Sequence, residues 1–259
     1  MNIGIIGLGV VGRATYDGLG QLGHTLSHYD IADKATSIDS VKHTDIVFVC
    51  VPTPTDGNGN CDLKSVYQTV RLLNAKEYSG IIAIKSTVLP GTTQHLIDQY
   101  PDLKICFVPE FLRERSALSD FVGLHDVLIV GSEQEEISQA IIAAHQTIPD
   151  SVCVTGPTEA EIAKYFNNVF NALRVTFAND MFELCNALGA DYQQVFNAVS
   201  HRKTIGRDYL RCSNSMRGFG GACLPKDTQA LATMFSKLNL GHLELIAAIL
   251  NDNQHHTKG

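Results

Sequence analysis

The chain of 259 residues predicts an α/β fold, a mostly parallel sheet domain followed by an all-helical domain, on three observations. Short β-branched runs alternate with helical stretches as far as about residue 150, the pattern of a parallel sheet covered on both faces. Gly7, Gly9 and Gly12 stand where the first run gives way to the first helical stretch. From "PTEAEIAKYFNN" onward the strand pattern ceases, so residues 1–155 are assigned to the sheet domain and 156–259 to the helical one.

The elements follow in order. "NIGIIG" is the first strand and 11–22 the first helix; "HTLSHYD" and "DIVFVCV" are the next two strands, with a helix over 62–75. "GIIAIKS", a helix over 92–99, "LKICFVP", "DVLIVG" and a helix over 133–147 complete the alternation. The cysteine-containing runs "IVFVCV", "KICFV" and "SVCV" read as strand interiors, which makes Cys50, Cys106 and Cys153 core residues. In the second half, helices are expected over 158–188 and 191–200, the first opened by a capping box of Thr158 and Glu161. A loop over 201–222, rich in Arg, Ser and Gly, precedes helices over about 227–238 and 242–257.

Composition narrows the function classes. A net charge of -7 gives no basic field for nucleic acid or an anionic membrane. No apolar run reaches the roughly 18 residues of a spanning helix, and "MNIGIIGLG" shows no basic leader, so a cytoplasmic location is expected. The seven cysteines have neither paired spacing nor metal-ligand spacing, so no disulfide framework and no metal site is expected. His255 and His256, near a polar end, read as solvated.

The glycines carry the first chemistry. G-x-G-x-x-G between a strand and a helix is the Rossmann-type signature for a dinucleotide: Gly7 for the tight turn, Gly9 for close approach to the pyrophosphate, Gly12 for helix packing. Gly7, Gly9, Val10, Val11 and Gly12 are therefore expected at the phosphates, over the helix N-terminus. Asp30 follows the second strand, where a carboxylate accepts from ribose hydroxyls and repels a 2′-phosphate, so the expected cofactor is NAD. With Asp33 and Lys34 just after it, Asp30 also reads as a solvated turn residue, the weaker alternative.

Four further stretches, "VPTPTDGNGNCDL", "KSTVLPGTT", "PEFLRE" and "EIAKYFNN", belong with "GFGGACLPKD". The first three each follow a strand, at the edge where open α/β sheets bind ligands. Together the five motifs resemble the UDP-glucose/GDP-mannose dehydrogenase family, in order from residue 1 to about 255. The resemblance implies oxidation of a nucleotide-sugar C6 alcohol to a carboxylate with two NAD per turnover. It makes Cys223 the nucleophile that forms a thiohemiacetal and then a thioester, with Asp227 setting up the cysteine and the base chemistry. It makes Lys164 and Asn168 oxyanion donors, Glu114 the residue of thioester hydrolysis, Glu110 a second site carboxylate and Thr87 a residue that positions water. Val51, Pro52, Thr53, Ser86, Thr87, Glu114 and Lys226 are the further cofactor contacts it implies. Phe111, Leu112, Lys164, Asn168, Tyr209, Arg211, Phe219 and Gly220 are the implied substrate contacts, with Arg217 a second source of charge for phosphates. "CLPKD" opening a helix with Pro225 in its first turn would favour a thiolate at Cys223.

The chain departs from the family pattern in two places. It stops before the family's further nucleotide-sugar-binding domain, so a third domain is absent and weak substrate affinity is expected. Relatives typically carry an arginine directly before the Ile-Gly pair of "HRKTIG", where this chain has Thr204; either Lys203 or Arg202 substitutes, or the contact is lost. A homodimer through the helical domain is expected, from the apolar stripe "LELIAAIL" on the last helix. Two other readings stay open: a small β-hydroxyacid dehydrogenase, against which "GGACLPKD" counts, and a non-catalytic or truncated NAD-binding homologue that acts with a partner.

Overall fold

The structure, a computed structural model, describes residues 1–57 and 59–257, with Glu114 described by its backbone alone. The chain divides into two compact units: Met1–Pro54 with Asp62–Lys164, and Thr55–Cys61 with Tyr165–Gly259.

In the first unit, seven strands form one sheet among the described residues, in the order β2-β1-β3-β4-β5-β6-β7. They are β1 (Asn2–Ile6), β2 (Thr25–Tyr29), β3 (Ile46–Val49), β4 (Ile81–Ile84), β5 (Lys104–Phe107), β6 (Val127–Gly131) and β7 (Ser151–Thr155). The first five are mutually parallel, β6 runs antiparallel to β5, and β7 is parallel to β6. Every residue of "IVFV" and "IIAI" is buried, as central strands covered on both faces require. The covering helices are α1 (Val10–Gln21), α2 (Lys64–Ala75), α3 (Thr92–Gln99), α4 (Ala117–Gly123) and α5 (Glu135–His145). One face of the sheet packs Val47, Val49, Ile82 and Ile84 with Val70 and Leu73 of α2; the other packs Ile3, Ile5, Phe48 and Ala83 with Leu19 of α1 and Ile141 of α5.

Two elements differ from expectation. The short helix α4 has no periodic signal over its seven residues; it forms because Phe121 lies flat on α1, where a Cβ at Gly18 would stand 2.2 Å from the ring. The run "SVCV" is a strand, β7, but Cys153 is exposed, while Cys106 is buried and Cys50 half-buried. The reason is position: β7 is the edge of the sheet, and Val152 and Val154 are exposed beside Cys153. The thiols of Cys50 and Cys106 behave as core groups, and burial pushes Cys50 up to about 12.

The second unit takes its frame from α6 (Pro157–Leu188), which starts in the first unit, with α7 (Tyr192–Ser200), α8 (Leu224–Lys237) and α9 (Leu245–Thr257). Phe182, Cys185, Tyr192, Phe196 and Cys212 form one core cluster, and Val169, Ala172, Phe219 and Ile249 another. The segment 55–61 is fastened to α8: Thr233 Oγ1 donates to the Gly59 carbonyl at 3.2 Å and Lys237 Nζ to Asn60 Oδ1 at 2.6 Å.

The capping box expected at Thr158 is not formed. The helix starts at Pro157, and the Glu161 carboxylate instead accepts the Gly91 and Thr93 N–H groups at 2.6 and 2.8 Å, closing the N-terminus of α3. Tertiary packing gives this carboxylate two orphan donors on another helix in place of those on its own. Glu161 is fully buried, and burial raises its carboxyl to about 6.

Candidate active site

Parallel register brings the expected cofactor residues of the first unit to one sheet edge. Ile6, Val49, Ile84 and Phe107 lie abreast, so Gly7, Val51–Thr53, Ser86–Thr87 and Glu110–Leu112 all emerge from the C-terminal ends of adjacent strands.

The glycines of this edge differ in why they are needed. Gly7 has φ +88, and an added Cβ would stand 2.7 Å from the Cys50 carbonyl oxygen. At Gly12 a Cβ would come within 1.8 Å of the Gly7 carbonyl oxygen, so the helix could not approach the turn. At Gly9, the N-cap of α1, a Cβ would meet nothing of the protein within 4 Å. Its space opens at a helix N-terminus whose first turn holds no acidic side chain, with Val10 exposed, Val11 half-buried and no side-chain cap. That opening suits an anionic pyrophosphate held by main-chain N–H groups.

Asp30 closes the turn. Its carboxylate accepts from the Leu8 N–H at 2.6 Å and the Ala32 N–H at 2.8 Å, and these bonds hold it below the ordinary carboxylate range. It is therefore a fixed anion at the end of β2, the charge that fits a ribose diol and opposes a 2′-phosphate. Thr53 Oγ1 donates to the Thr87 carbonyl at 2.8 Å, and Ser86 Oγ to the Val51 carbonyl at 2.7 Å. Ser86, an expected cofactor contact, thus also ties the loops after β3 and β4 together through its hydroxyl. Val51 and Thr87 are half-buried beside it, and Pro52 is exposed.

Glu110 is held as a salt. Its Oε2 lies 2.9 Å from Lys85 Nζ, and its Oε1 accepts from the Phe111 and Leu112 N–H groups at 2.8 and 3.2 Å. Lys85 and Lys164 oppose the effect of burial and hold this carboxyl below its ordinary range. A general base needs the opposite shift; in this ligand-free arrangement the Glu110 carboxylate anchors residues 110–112. Lys164 Nζ donates to the Glu110 carbonyl and lies 5.3 Å from the Phe111 ring centroid. Leu112 is half-buried next to them. Lys85 opens the motif "KSTVLPGTT" but was not singled out, because nothing local names its partner; the pairing of β4 with β5 places its ammonium against Glu110. The side chain of Glu114 lies outside the described residues.

The helical unit builds a second cluster around Asp227, which is fully buried. Asn168 Nδ2 donates to Asp227 Oδ2 at 2.6 Å, and Lys226 Nζ lies 2.6 Å from Oδ1. Lys226, expected at the cofactor, is here also the counter-ion of its neighbour. Cys223 is the N-cap of α8, with Pro225 in the first turn, so the helix starts at Leu224, three residues before the expected position. The Asp227 N–H donates to the Cys223 carbonyl at 2.9 Å, while the cysteine itself is exposed.

The loop before Cys223 is tied to the helices at several residues. Phe219 is a core residue packed with Val169, Ala172 and Ile249, and Asn253 takes both its N–H and its carbonyl. Arg217 pairs with Glu183, donates to Asn179 Oδ1 at 2.8 Å and lies 4.8 Å from the Phe182 ring centroid; it fastens the loop to α6. His256 is drawn into the same network, 2.9 Å from Asp180 Oδ1, and is not solvated. Arg211 and Gly220 are exposed, and Tyr209 has a left-handed backbone at φ +61. Arg202, Lys203 and Thr204 are exposed in the turn after α7, and Arg174, which the sequence did not single out, donates to the Ile205 carbonyl at 3.3 Å. Among the described residues no cluster of metal-binding side chains occurs, and no helix is long and apolar enough to cross a membrane.

Comparison with known proteins agrees with this arrangement. Residues 33–148 match the UDP-glucose/GDP-mannose dehydrogenase family, NAD binding domain, and residues 158–255 match the central domain of the same family. A UDP-glucose 6-dehydrogenase of Rickettsia typhi is 30% identical over 98% of this chain and 67% of its own. The structure of a UDP-glucose dehydrogenase from the archaeon Pyrobaculum islandicum superposes with a TM-score of 0.90 at 30% identity, over 98% of this chain and 68% of that one. A Mycobacterium tuberculosis 3-hydroxyisobutyrate dehydrogenase, 17% identical with a TM-score of 0.75 over 97% of this chain and 94% of its own, shares the fold. The chain spans 50% to 67% of the length of curated relatives such as those of Rickettsia bellii and Rickettsia typhi. With two domains matched in order and a 30% identical relative aligned over 98% of this chain, the chain belongs to the UDP-glucose/GDP-mannose dehydrogenase family.

Proposed function

We propose that the protein is an NAD-dependent nucleotide-sugar 6-dehydrogenase that takes a C6 alcohol to the carboxylate in two oxidations. The observation that carries the reading is the head of α8: an exposed Cys223 at the helix N-terminus, one turn from a buried Asp227 bonded to Asn168. NAD, when bound, supplies the hydride acceptor for each oxidation. Gly7, Gly9, Gly12 and Asp30 would hold it through the open helix N-terminus and the fixed carboxylate at the end of β2.

The roles of the chain's own residues follow from their chemistry. Lys164 and Asn168 donate to the oxygen that gains charge during the first oxidation and in the tetrahedral adduct. The Cys223 thiolate attacks the aldehyde carbon, giving a thiohemiacetal; loss of hydride then leaves a thioester, and water releases the acid and restores the thiol. Thr87 positions water and Glu114 acts on the hydrolysis step. Tyr209, Arg211 and Gly220, in the exposed loop, contact the nucleotide diphosphate. Lys203 or Arg202 stands in at Thr204 for the arginine of relatives.

The protein acts as a homodimer through the helical domain, with α6 supplying an apolar face. Of "LELIAAIL", Ile249 is buried and Ile246 packed while Leu243 and Leu245 are exposed; Phe166, Phe170, Phe177, Leu184 and Leu188 of α6 are exposed as well. Intervals of 4, 7, 7 and 4 residues put these five on one stripe of a helix, an apolar face that a second copy would cover.

The test is NADH formation from UDP-glucose, GDP-mannose and UDP-N-acetyl sugars by wild type and Cys223→Ser. Two NADH per sugar in wild type, falling to at most one in the variant, supports the reading. Turnover of small hydroxyacids with none of nucleotide sugars would replace it with the β-hydroxyacid alternative.

A further inference from the structure

Two carboxamides of the helical unit grip the loop before Cys223. Asn179 of α6 is buried, and its Oδ1 accepts from Arg217 Nε at 2.8 Å, the Gly218 N–H at 3.1 Å and the Cys212 thiol at 3.3 Å. Its Nδ2 donates to the Val175 carbonyl at 2.8 Å. A guanidinium and a main-chain N–H only donate and a carbonyl only accepts, so chemistry fixes which way this amide points. Cys212 and Gly218 flank a tight turn that Ser213 and Met216 close with reciprocal main-chain bonds of 3.2 and 3.0 Å. One oxygen therefore holds both legs of the turn. Asn253 of α9 takes the next residue: its Oδ1 accepts the Phe219 N–H at 2.6 Å, and its Nδ2 donates to the Phe219 carbonyl at 3.0 Å. A Cβ at Gly218 would stand 2.7 Å from Asn253 Oδ1, so the chain passes α9 as closely as a glycine allows.

We infer that Asn179 and Asn253 are positioning residues for the nucleotide-sugar reaction, a clamp that sets the spacing of Arg211 and Gly220. The inference rests on the proposed role of those two residues as diphosphate contacts. Arg211 directly precedes Cys212 and Gly220 directly follows Phe219, so each contact stands one residue outside the clamped stretch. Beyond that stretch the packing stops. Arg211 is exposed, and a Cβ at Gly220 or Gly221 would meet no protein atom within 4 Å. An unrestrained glycine pair samples many conformations, and a substrate that has to order them binds more weakly. With Phe219 held at one end and α8 starting at Leu224, only the short run from Gly220 to Cys223 is left to settle on the substrate.

The test compares wild type with Asn179→Leu, Asn179→Asp, which keeps an acceptor oxygen, Asn253→Ala, and the double variant Asn179→Leu/Asn253→Ala. Two quantities are read: KM for UDP-glucose and for NAD, and hydrogen–deuterium exchange of the peptide holding Gly218 and Phe219 in ligand-free protein. In Asn179→Leu and in Asn253→Ala, KM for UDP-glucose is expected to rise about tenfold while KM for NAD stays within about threefold. Exchange of the peptide is expected to quicken at least about tenfold in both. Asn179→Asp should keep KM for UDP-glucose within about threefold of wild type. Because both carboxamides hold one segment, the double variant should be no more than about threefold worse than the worse single variant. Unchanged exchange, an unchanged KM for UDP-glucose, an equal rise in KM for NAD, no rescue in Asn179→Asp, or additive effects in the double variant each overturn the inference. If Asn179→Leu fails to fold, Asn253→Ala, at a half-buried position, decides alone by the same two readings. If wild type forms no NADH from any nucleotide sugar, the proposed reaction fails and the positioning role falls with it, whereas an unchanged KM for UDP-glucose in an active enzyme removes the clamp alone.

Discussion

Replacing Gly9 and Gly12 separately by alanine isolates what each glycine does. At Gly12 the new Cβ would lie 1.8 Å from the Gly7 carbonyl oxygen and 3.2 Å from the Cys50 Cβ. A carbon and a carbonyl oxygen need about 3.2 Å, so α1 or the turn must move by more than about 1 Å within a packed core, a cost of roughly 3 kcal/mol or more. For a chain of this size that lowers Tm by on the order of 10 °C. At Gly9 the backbone angles of -66 and -164 lie in a region open to alanine, and the Cβ meets no protein atom within 4 Å. Loss of unfolded-chain entropy stabilises by about 0.4–1 kcal/mol, and the poorer N-cap offsets a few tenths, so Tm should stay within about 3 °C of wild type. NAD affinity should nevertheless fall at least about tenfold, because the methyl fills the space through which the pyrophosphate reaches the helix N-terminus. The assay is a thermal melt beside a fluorescence titration with NAD for each variant. Wild-type NAD affinity in Gly9→Ala, or equal loss of Tm in both variants, would refute the reasoning.

Two further outcomes follow. Glu161 has a folded carboxyl raised from 4.5 to about 6 by burial, so the folded state holds the proton more tightly than the unfolded one. Its contribution to stability is present in full below 4.5 and is lost as pH rises through about 6, roughly 2 kcal/mol in all; Glu161→Gln should become more favourable relative to wild type by that amount across this window in urea titrations at stepped pH. Phe177→Glu, at a side chain 57% exposed on α6, should turn a dimer into a monomer by sedimentation velocity at micromolar concentration with little change in far-ultraviolet circular dichroism; a monomeric wild type would remove the dimer proposal.

Much of this protein is legible in the chain because periodicity and turn chemistry are local. "IVFV" and "IIAI" read as central strands, since only a segment covered on both faces is apolar at every position. Gly7, Gly9, Gly12 and Asp30 are legible for the same reason: a strand, a tight turn and a helix N-terminus lie within one stretch of sequence. The order of five motifs marked Cys223, Asp227, Lys164 and Asn168 as candidate site residues, and the structure joins Asp227 to Asn168.

Tertiary structure decided what depends on which surfaces meet. Cys153 and Cys106 sit in similar runs, yet one is exposed on the edge strand and the other buried in the sheet. Glu161 reads as a local cap and closes a helix about seventy residues earlier in the chain. The packing of Phe219 against Val169 and Ile249, the pairing of Arg217 with Glu183 and that of Lys226 with Asp227 were likewise set by which helices meet the loop. Lys85 lies in a motif whose sequence does not name its partner. A buried charge is identified by its partner, and the partner of Lys85 is set by the hydrogen-bonded register of β4 against β5, a long-range pairing that no window of sequence contains.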